Sequence, residues 1–170
     1  LTDQSGVVSS TTNYDTNPFG TANDATLVEF GDDENNVNSN VSLGIDTSQS
    51  VNEGEYWTVS FWAKRVNGDN SKPNLRIDTV DSVLVLNFGF STDYGKWEFF
   101  ESTFQIPSGD NSSFTGSSRI RNGRTPTDIK YLMWGIQLEK GHYATNLIKT
   151  QGSTVTRPHP VLYIKDYWPI

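Results

Sequence analysis

"EYWTVSFWAKR", residues 55–65, is the stretch that decides the fold. Its odd positions Trp57, Val59, Phe61 and Ala63 are all apolar, whereas Tyr56, Thr58, Ser60, Trp62 and Lys64 are mixed. Side chains alternate between the two faces of a strand. A period of two therefore predicts a β-strand with the odd set in a core and the even set on the other face.

Strand patterns recur outward from it. "ATLVEF" (25–30) and "NVSLGID" (40–46) are short strands, and "NLRIDTV" (74–80) and "SVLVLNFGF" (82–90) follow the break at "GDNSKP" (68–73). The last of these is apolar on both faces, which predicts a central position in its sheet. "KWEFFESTFQI" (96–106) alternates through Phe100, Ser102, Phe104 and Ile106. Trp97 falls one step out of phase, an offset that a bulge or a twisted strand entry explains. "KYLMWGIQL" (130–138) is read with Leu132, Trp134, Ile136 and Leu138 inward and Tyr131, Met133 and Gln137 outward. One core is expected from Trp57, Phe61, Phe100, Phe104, Trp134 and Ile136. Between the strands lie polar connections: residues 1–24 with the turn-rich "NPFGTAND" (17–24), the acidic "GDDENN" (31–36) and the long "PSGDNSSFTGSS" (107–118). No amphipathic helix is found. Several short strands with regular turn signals predict an all-β, antiparallel two-sheet β-sandwich of jelly-roll type.

Composition agrees. A chain of 170 residues is long enough to bury one core, and 12% aromatic residues suit a β-rich one. With 13 basic against 20 acidic residues the net charge is −7, a poor match for phosphate or anionic lipid, so nucleic-acid binding is not expected. No apolar run is near the length that spans a bilayer, so membrane insertion is not expected either. Arg119, Arg121 and Arg124 form a small basic cluster that reads as a solvated loop or a set of salt bridges. The absence of cysteine excludes disulfides and thiolate metal sites. The chain opens on Leu1 rather than methionine, which reads as a fragment or a renumbered piece of something larger.

"WGIQLEKGHYATNLIKTQGSTVTR" (134–157) resembles the closing motif of a jelly-roll module common in bacteriophage tail-fibre and virion-surface proteins. There a core strand of the form W-G-x-Q-L-E-x-G is followed by a segment ending in T-x-G-S-x-V-T-R. "NPFGTANDATLVEF", "YWTVSFWAK" and "GKWEFFESTF" resemble that family's entry turn, central strand and aromatic strand, so the likeness spans roughly residues 15–157. In physical terms, Gln137 and Glu139 are placed to tie the strand end to neighbouring backbone donors. Gly135 and Gly141 allow close approach and a turn, and residues 142–157 are expected to return across the sandwich and cover an edge. Related carbohydrate-binding sandwiches carry an acidic calcium ligand in the last strand. Trp134-Gly135-Ile136 stands there instead, and the acidic loop lacks a calcium-loop spacing, so neither a metal nor any cofactor is expected.

No catalytic pattern emerges. His142 and His159 are the only histidines and no G-x-S-x-G elbow accompanies them. Asp78, Asp81, Glu98 and Glu101 are the carboxylates from which a glycosidase pair would come. Binding fits better: Trp62, Lys64, Tyr131 and Gln137, joined by Phe99, would offer rings for the apolar faces of a sugar and polar groups for its hydroxyls. The open alternative is structural cover of Trp62 by the N-terminal segment, the 107–118 loop or a neighbouring subunit. What the resemblance implies is a non-enzymatic module on the extracellular face of a virion (tail fibre, head fibre or capsid decoration) that contacts other virion proteins and attaches to host surface glycan. The competing reading is a carbohydrate-binding module of a secreted polysaccharide-degrading enzyme. The sandwich is assigned to residues 1–157. Residues 158–170 are expected to be an apolar extension with Leu162, Tyr163, Ile164, Tyr167 and Trp168 as interface residues, the alternative being a tail folded back over its own sandwich, and the resemblance suggests a homotrimer.

Overall fold

The computed structural model describes residues 2–5, 8–30, 39–42, 49–67, 74–87, 94–116, 118–122 and 129–147. The apolar extension with its five interface residues, His159, the acidic 31–36 loop and Arg124 lie outside the described residues.

Among the described residues, ten strands build two antiparallel five-stranded sheets. In chain order they are β1 (Thr2–Ser5), β2 (Val8–Asp15), β3 (Ala25–Phe30), β4 (Ser39–Ser42), β5 (Tyr56–Asn67), β6 (Asn74–Asp78), β7 (Val83–Asn87), β8 (Trp97–Gln105), β9 (Arg119–Asn122) and β10 (Ile129–Lys140). One sheet runs β1-β4-β9-β6-β7 and the other β2-β3-β10-β5-β8. The crossovers make this a jelly-roll sandwich, as the succession of short strands and turn signals predicts. Among the described residues there is no helix.

The core lies between the sheets. Trp57, Val59, Phe61 and Ala63 of β5 are buried there with Val28 and Phe30, Leu75 and Ile77, Ile120 and Phe104; Phe100 and Ile136 pack against them half-buried. Phe61 stacks on Phe100 at 5.4 Å. Phe114, from the polar 107–118 loop, is fully buried and meets Trp57 edge-on at 4.8 Å. Isolated bridges Ser50–Ser113 and Thr79–Phe114 hold that loop down. Buried Asp110 anchors it by accepting hydrogen bonds from Thr79 and Ser112. Burial pushes the Asp110 carboxyl upward, but hydrogen bonds from Ser112, Thr79 and Ser82 prevail and hold it below the usual carboxylate range.

Three strand readings need correction. On β10 the first half faces the other way: Tyr131 is 1% exposed and Met133 is buried, both in the core. Leu132 joins Ala25 and Leu27 in a separate cluster on the outer face of the sheet. Trp134 is outer too, leaving the expected one-core set. The cause is a bulge: Trp134 pairs with Trp62 but Gln137 pairs with Ser60, so three steps on β10 oppose two on β5. Gly135, at φ +65°, absorbs the extra residue. Ile136 and Leu138 are inward as expected, but extending their phase backward across the bulge inverts residues 131–134.

The second correction concerns β7, an edge strand rather than a central one. Its outer-facing Val83 and Val85 are 55% and 51% exposed, and only Leu84 and Leu86 reach the core. Third, Trp97 pairs with Lys64 in unbroken register, so no bulge sets its phase. It packs half-buried against the outer cluster of Ala25, Leu27 and Leu132.

Candidate functional site

The outer face of the β2-β3-β10-β5-β8 sheet is assembled from the even positions of β5, the odd positions of β8 and, around the bulge, Trp134, Gln137 and Glu139 of β10. Its three parts differ. One end is filled by the outer apolar cluster. The other end is knitted to the segment that follows β10. Between them runs a cleft of about 280 Å³ lined by Phe19, Ser60, Trp62, Phe99, Trp134, Gly135, Gln137 and residues 144–147.

The knitted end explains the closing motif through residue 147. Thr58 Oγ1 donates to the Gly141 carbonyl (2.9 Å) and Thr103 Oγ1 to that of His142 (3.0 Å). The Ala144 amide donates to Glu101 on the edge strand β8 (2.8 Å). The chain thus crosses β5 to reach the edge, and then turns back along the cleft. Glu139 accepts the Thr145 amide (3.0 Å), the Thr145 hydroxyl and the Gln137 side-chain amide (2.7 Å), which also donates to the Thr145 carbonyl (3.3 Å). Gln137 and Glu139 therefore tie the strand end to this wall. At Gly135 the wall comes so close that a Cβ would lie 3.4 Å from the Leu147 methyl carbons.

The facing wall is the β2–β3 connection, which raises Phe19 into solvent at 68% exposure. Phe19 meets Trp62 edge-on at 5.5 Å and Trp134 at 5.4 Å; Trp62 in turn meets Phe99, 46% exposed, at 5.3 Å. Four aromatic rings, each touching the next, thus run from the Phe19 wall across the floor to the edge strand, opposite the polar Gln137, Thr145 and Asn146. Such a surface suits a ligand with an apolar face and many hydroxyls, whose faces stack on rings and whose hydroxyls need partners.

Of the four residues singled out from sequence, Trp62 and Gln137 line the cleft, with Phe99. Tyr131 does not, because the bulge turns it into the core. Lys64 shares the outer face but lies 3.7 Å from Asp15 and over the Trp97 ring at 5.3 Å, away from the cleft lining. Phe19 and Trp134 are the residues that sequence reading missed. Among the described residues, no three histidine or carboxylate side chains are grouped so as to hold a metal ion.

No protein-family model matches the chain, and no curated protein matches it. Solved structures do. The CBM22-1 and GH10 modules of a Clostridium thermocellum endo-1,4-beta-D-xylanase, complexed with xylohexaose, match at a TM-score of 0.50 and 11% identity, covering 82% of this chain and 26% of that one. A CBM22-1 xylan-binding domain from Paenibacillus barcinonensis matches at 0.49 and 14%, covering 84% and 86%. The baseplate tripod of bacteriophage Tuc2009 matches at 0.47 and 15%, covering 76% and 50%. Structural neighbours thus include carbohydrate-binding modules and phage baseplate proteins, and the likeness is one of fold. The chain is an antiparallel jelly-roll β-sandwich, similar in fold to the structure that holds the CBM22-1 module.

Proposed function

We propose that this chain is a non-catalytic glycan-binding sandwich displayed on a virion surface, as part of a tail fibre, head fibre or capsid decoration. The single observation that carries the glycan reading is the aromatic cleft, in which Trp62 forms the floor beneath Phe19 and beside Phe99, opposite Gln137 and Asn146. The virion reading rests on the resemblance of residues 134–157 to the phage closing motif. A binding role without catalysis is supported by the carboxylates. Asp24 and Glu139, near the cleft, are both engaged in hydrogen bonds that fix its walls. Asp78 belongs to the opposite sheet, where it pairs with Arg76 at 2.6 Å, and Glu98 and Glu101 sit on alternate faces of β8. A glycosidase needs two carboxyls flanking one bond.

Wild-type protein and Trp62→Ala are compared on an array of bacterial surface glycans and plant polysaccharides. The reading expects retention on at least one glycan, lost in the variant, with no release of reducing sugar. Retention equal in both proteins would overturn it. Retention confined to plant polysaccharides would favour the module of a secreted enzyme over the virion protein, and a labelled antibody to this chain on intact particles tests the location directly.

Residues 158–170, with Leu162, Tyr163, Ile164, Tyr167 and Trp168, are proposed as a separate interaction element that assembles the chain into a trimer. Deleting them should lower the mass measured by light scattering while the sandwich stays folded. An unchanged mass refutes the proposal.

A further inference from the structure

From the β2–β3 connection and β10 we infer that Asp24 is the positioning residue of the cleft: one carboxylate oxygen locks the Phe19 arm to Trp134. This rests on the cleft being the ligand site and says how its shape is held. The arm begins at Asn17, only 4% exposed, whose Oδ1 accepts the amides of Phe19 (2.9 Å) and Thr21 (3.0 Å). The Asn17 amide donates to the Thr21 carbonyl (2.9 Å), closing a tight loop with Phe19 at its tip. Asn17 Nδ2 then donates to Asp24 Oδ2 (2.8 Å), and the same oxygen accepts the indole Nε1–H of Trp134 (2.9 Å), which is 110 residues away in sequence. The Trp134 ring in turn contacts Phe19. The circuit Asp24–Asn17–Phe19–Trp134–Asp24 closes on itself.

An exposed phenylalanine on a free loop has no reason to stand upright in water, since it loses rotamer freedom without burying area. Here the carboxylate fixes both supports of the ring at once, using hydrogen bonds to a charged acceptor, the stronger kind. The wall is therefore preformed, and its ordering is not charged to ligand binding. Loss of either donor should loosen the other element, a coupling that independent supports would not show.

The test needs no ligand and so stands or falls separately from the glycan reading. Trp134→Phe keeps a ring and deletes the donor; Asp24→Ala deletes the acceptor. Amide hydrogen exchange and the indole N–H resonances are followed by NMR in both. In Trp134→Phe the amides of Phe19 and Thr21 should exchange about tenfold faster or more, the scale of one hydrogen bond to a charged group. In Asp24→Ala the Trp134 indole proton should shift upfield and exchange rapidly. Leu75 and Ile77 in the opposite sheet should keep their protection in both variants. Unchanged Phe19 and Thr21 exchange in Trp134→Phe overturns the inference. So does protection lost evenly through both sheets, which would make the contact general support rather than a lock on the arm.

Discussion

Replacing Gly135 with alanine tests the bulge that creates the cleft. At φ +65° the backbone of Gly135 already lies in the left-handed region, where an added Cβ costs about 1–2 kcal/mol. Alanine also restricts the unfolded chain, which returns about 0.4–1 kcal/mol. The net for strain alone is therefore roughly 1 kcal/mol. Gly95 provides the control: its φ is +75° and a Cβ there meets nothing within 4 Å, so Gly95→Ala reports strain only. At Gly135 the new methyl also meets Leu147 Cδ1 and Cδ2 at 3.4 Å, the tight limit of van der Waals contact, and the packed leucine has to give by a few tenths of an ångström. Gly135→Ala should therefore cost more than Gly95→Ala. For a chain of this size each kcal/mol lowers Tm by about 2–4 °C. Thermal melts with matched urea titrations, in which the m-value should not change, read both variants. A Gly135→Ala protein as stable as Gly95→Ala, or more so, would refute the claim that the bulge and the Leu147 wall are one packed unit.

Other consequences follow from the corrected strand phase and the charges. Tyr131→Ala should destabilise by about 3–5 kcal/mol through the cavity it leaves, and Trp134→Ala by less, because it lies on the outer face; urea midpoints rank the two. Burial alone would raise the Glu55 carboxyl, but hydrogen bonds from Lys140 and Asn52 and the Lys140 charge hold it at about 2 against an ordinary 4.5. A depressed folded pKa adds stability that is complete above pH 4.5 and is lost as pH falls towards 2. Denaturation midpoints at several pH values should therefore drop over that window in the wild type and drop less in Glu55→Gln. Trp62→Ala should leave the melting curve nearly unaltered while removing glycan retention, since the ring stands on the cleft floor rather than in the core.

The alternation on β5 is the clearest sign of a strand because its odd residues from Trp57 to Ala63 are all core residues. Polar edge strands were less legible. β1 and β2 fall in a stretch read as polar connection, since an outermost strand needs backbone pairing more than an apolar face. β7 misleads in the opposite sense, being apolar on both faces while at an edge. On β10 the pattern could not reveal where the phase switches, although Gly135 within an apolar run was the available sign of a bulge. At the site, Trp62, Phe99 and Gln137 were readable as outward residues of well-phased strands. Phe19 was not, because its role depends on a loop folding over a distant strand. Its one local sign is the N-P-F-G sequence, in which an asparagine and a glycine bracket a large ring at a turn.

Titration of the protein with a retained glycan fragment, followed by NMR of the tryptophan indole N–H resonances, tests the central claim most directly. Trp62 and Trp134 line the cleft, whereas Trp57 is sealed in the core and Trp97 packs on the outer apolar cluster. The account predicts that the Trp62 and Trp134 resonances move together and saturate, while those of Trp57 and Trp97 stay in place. Saturable binding that shifts Trp97 and leaves Trp62 and Trp134 unmoved would contradict it.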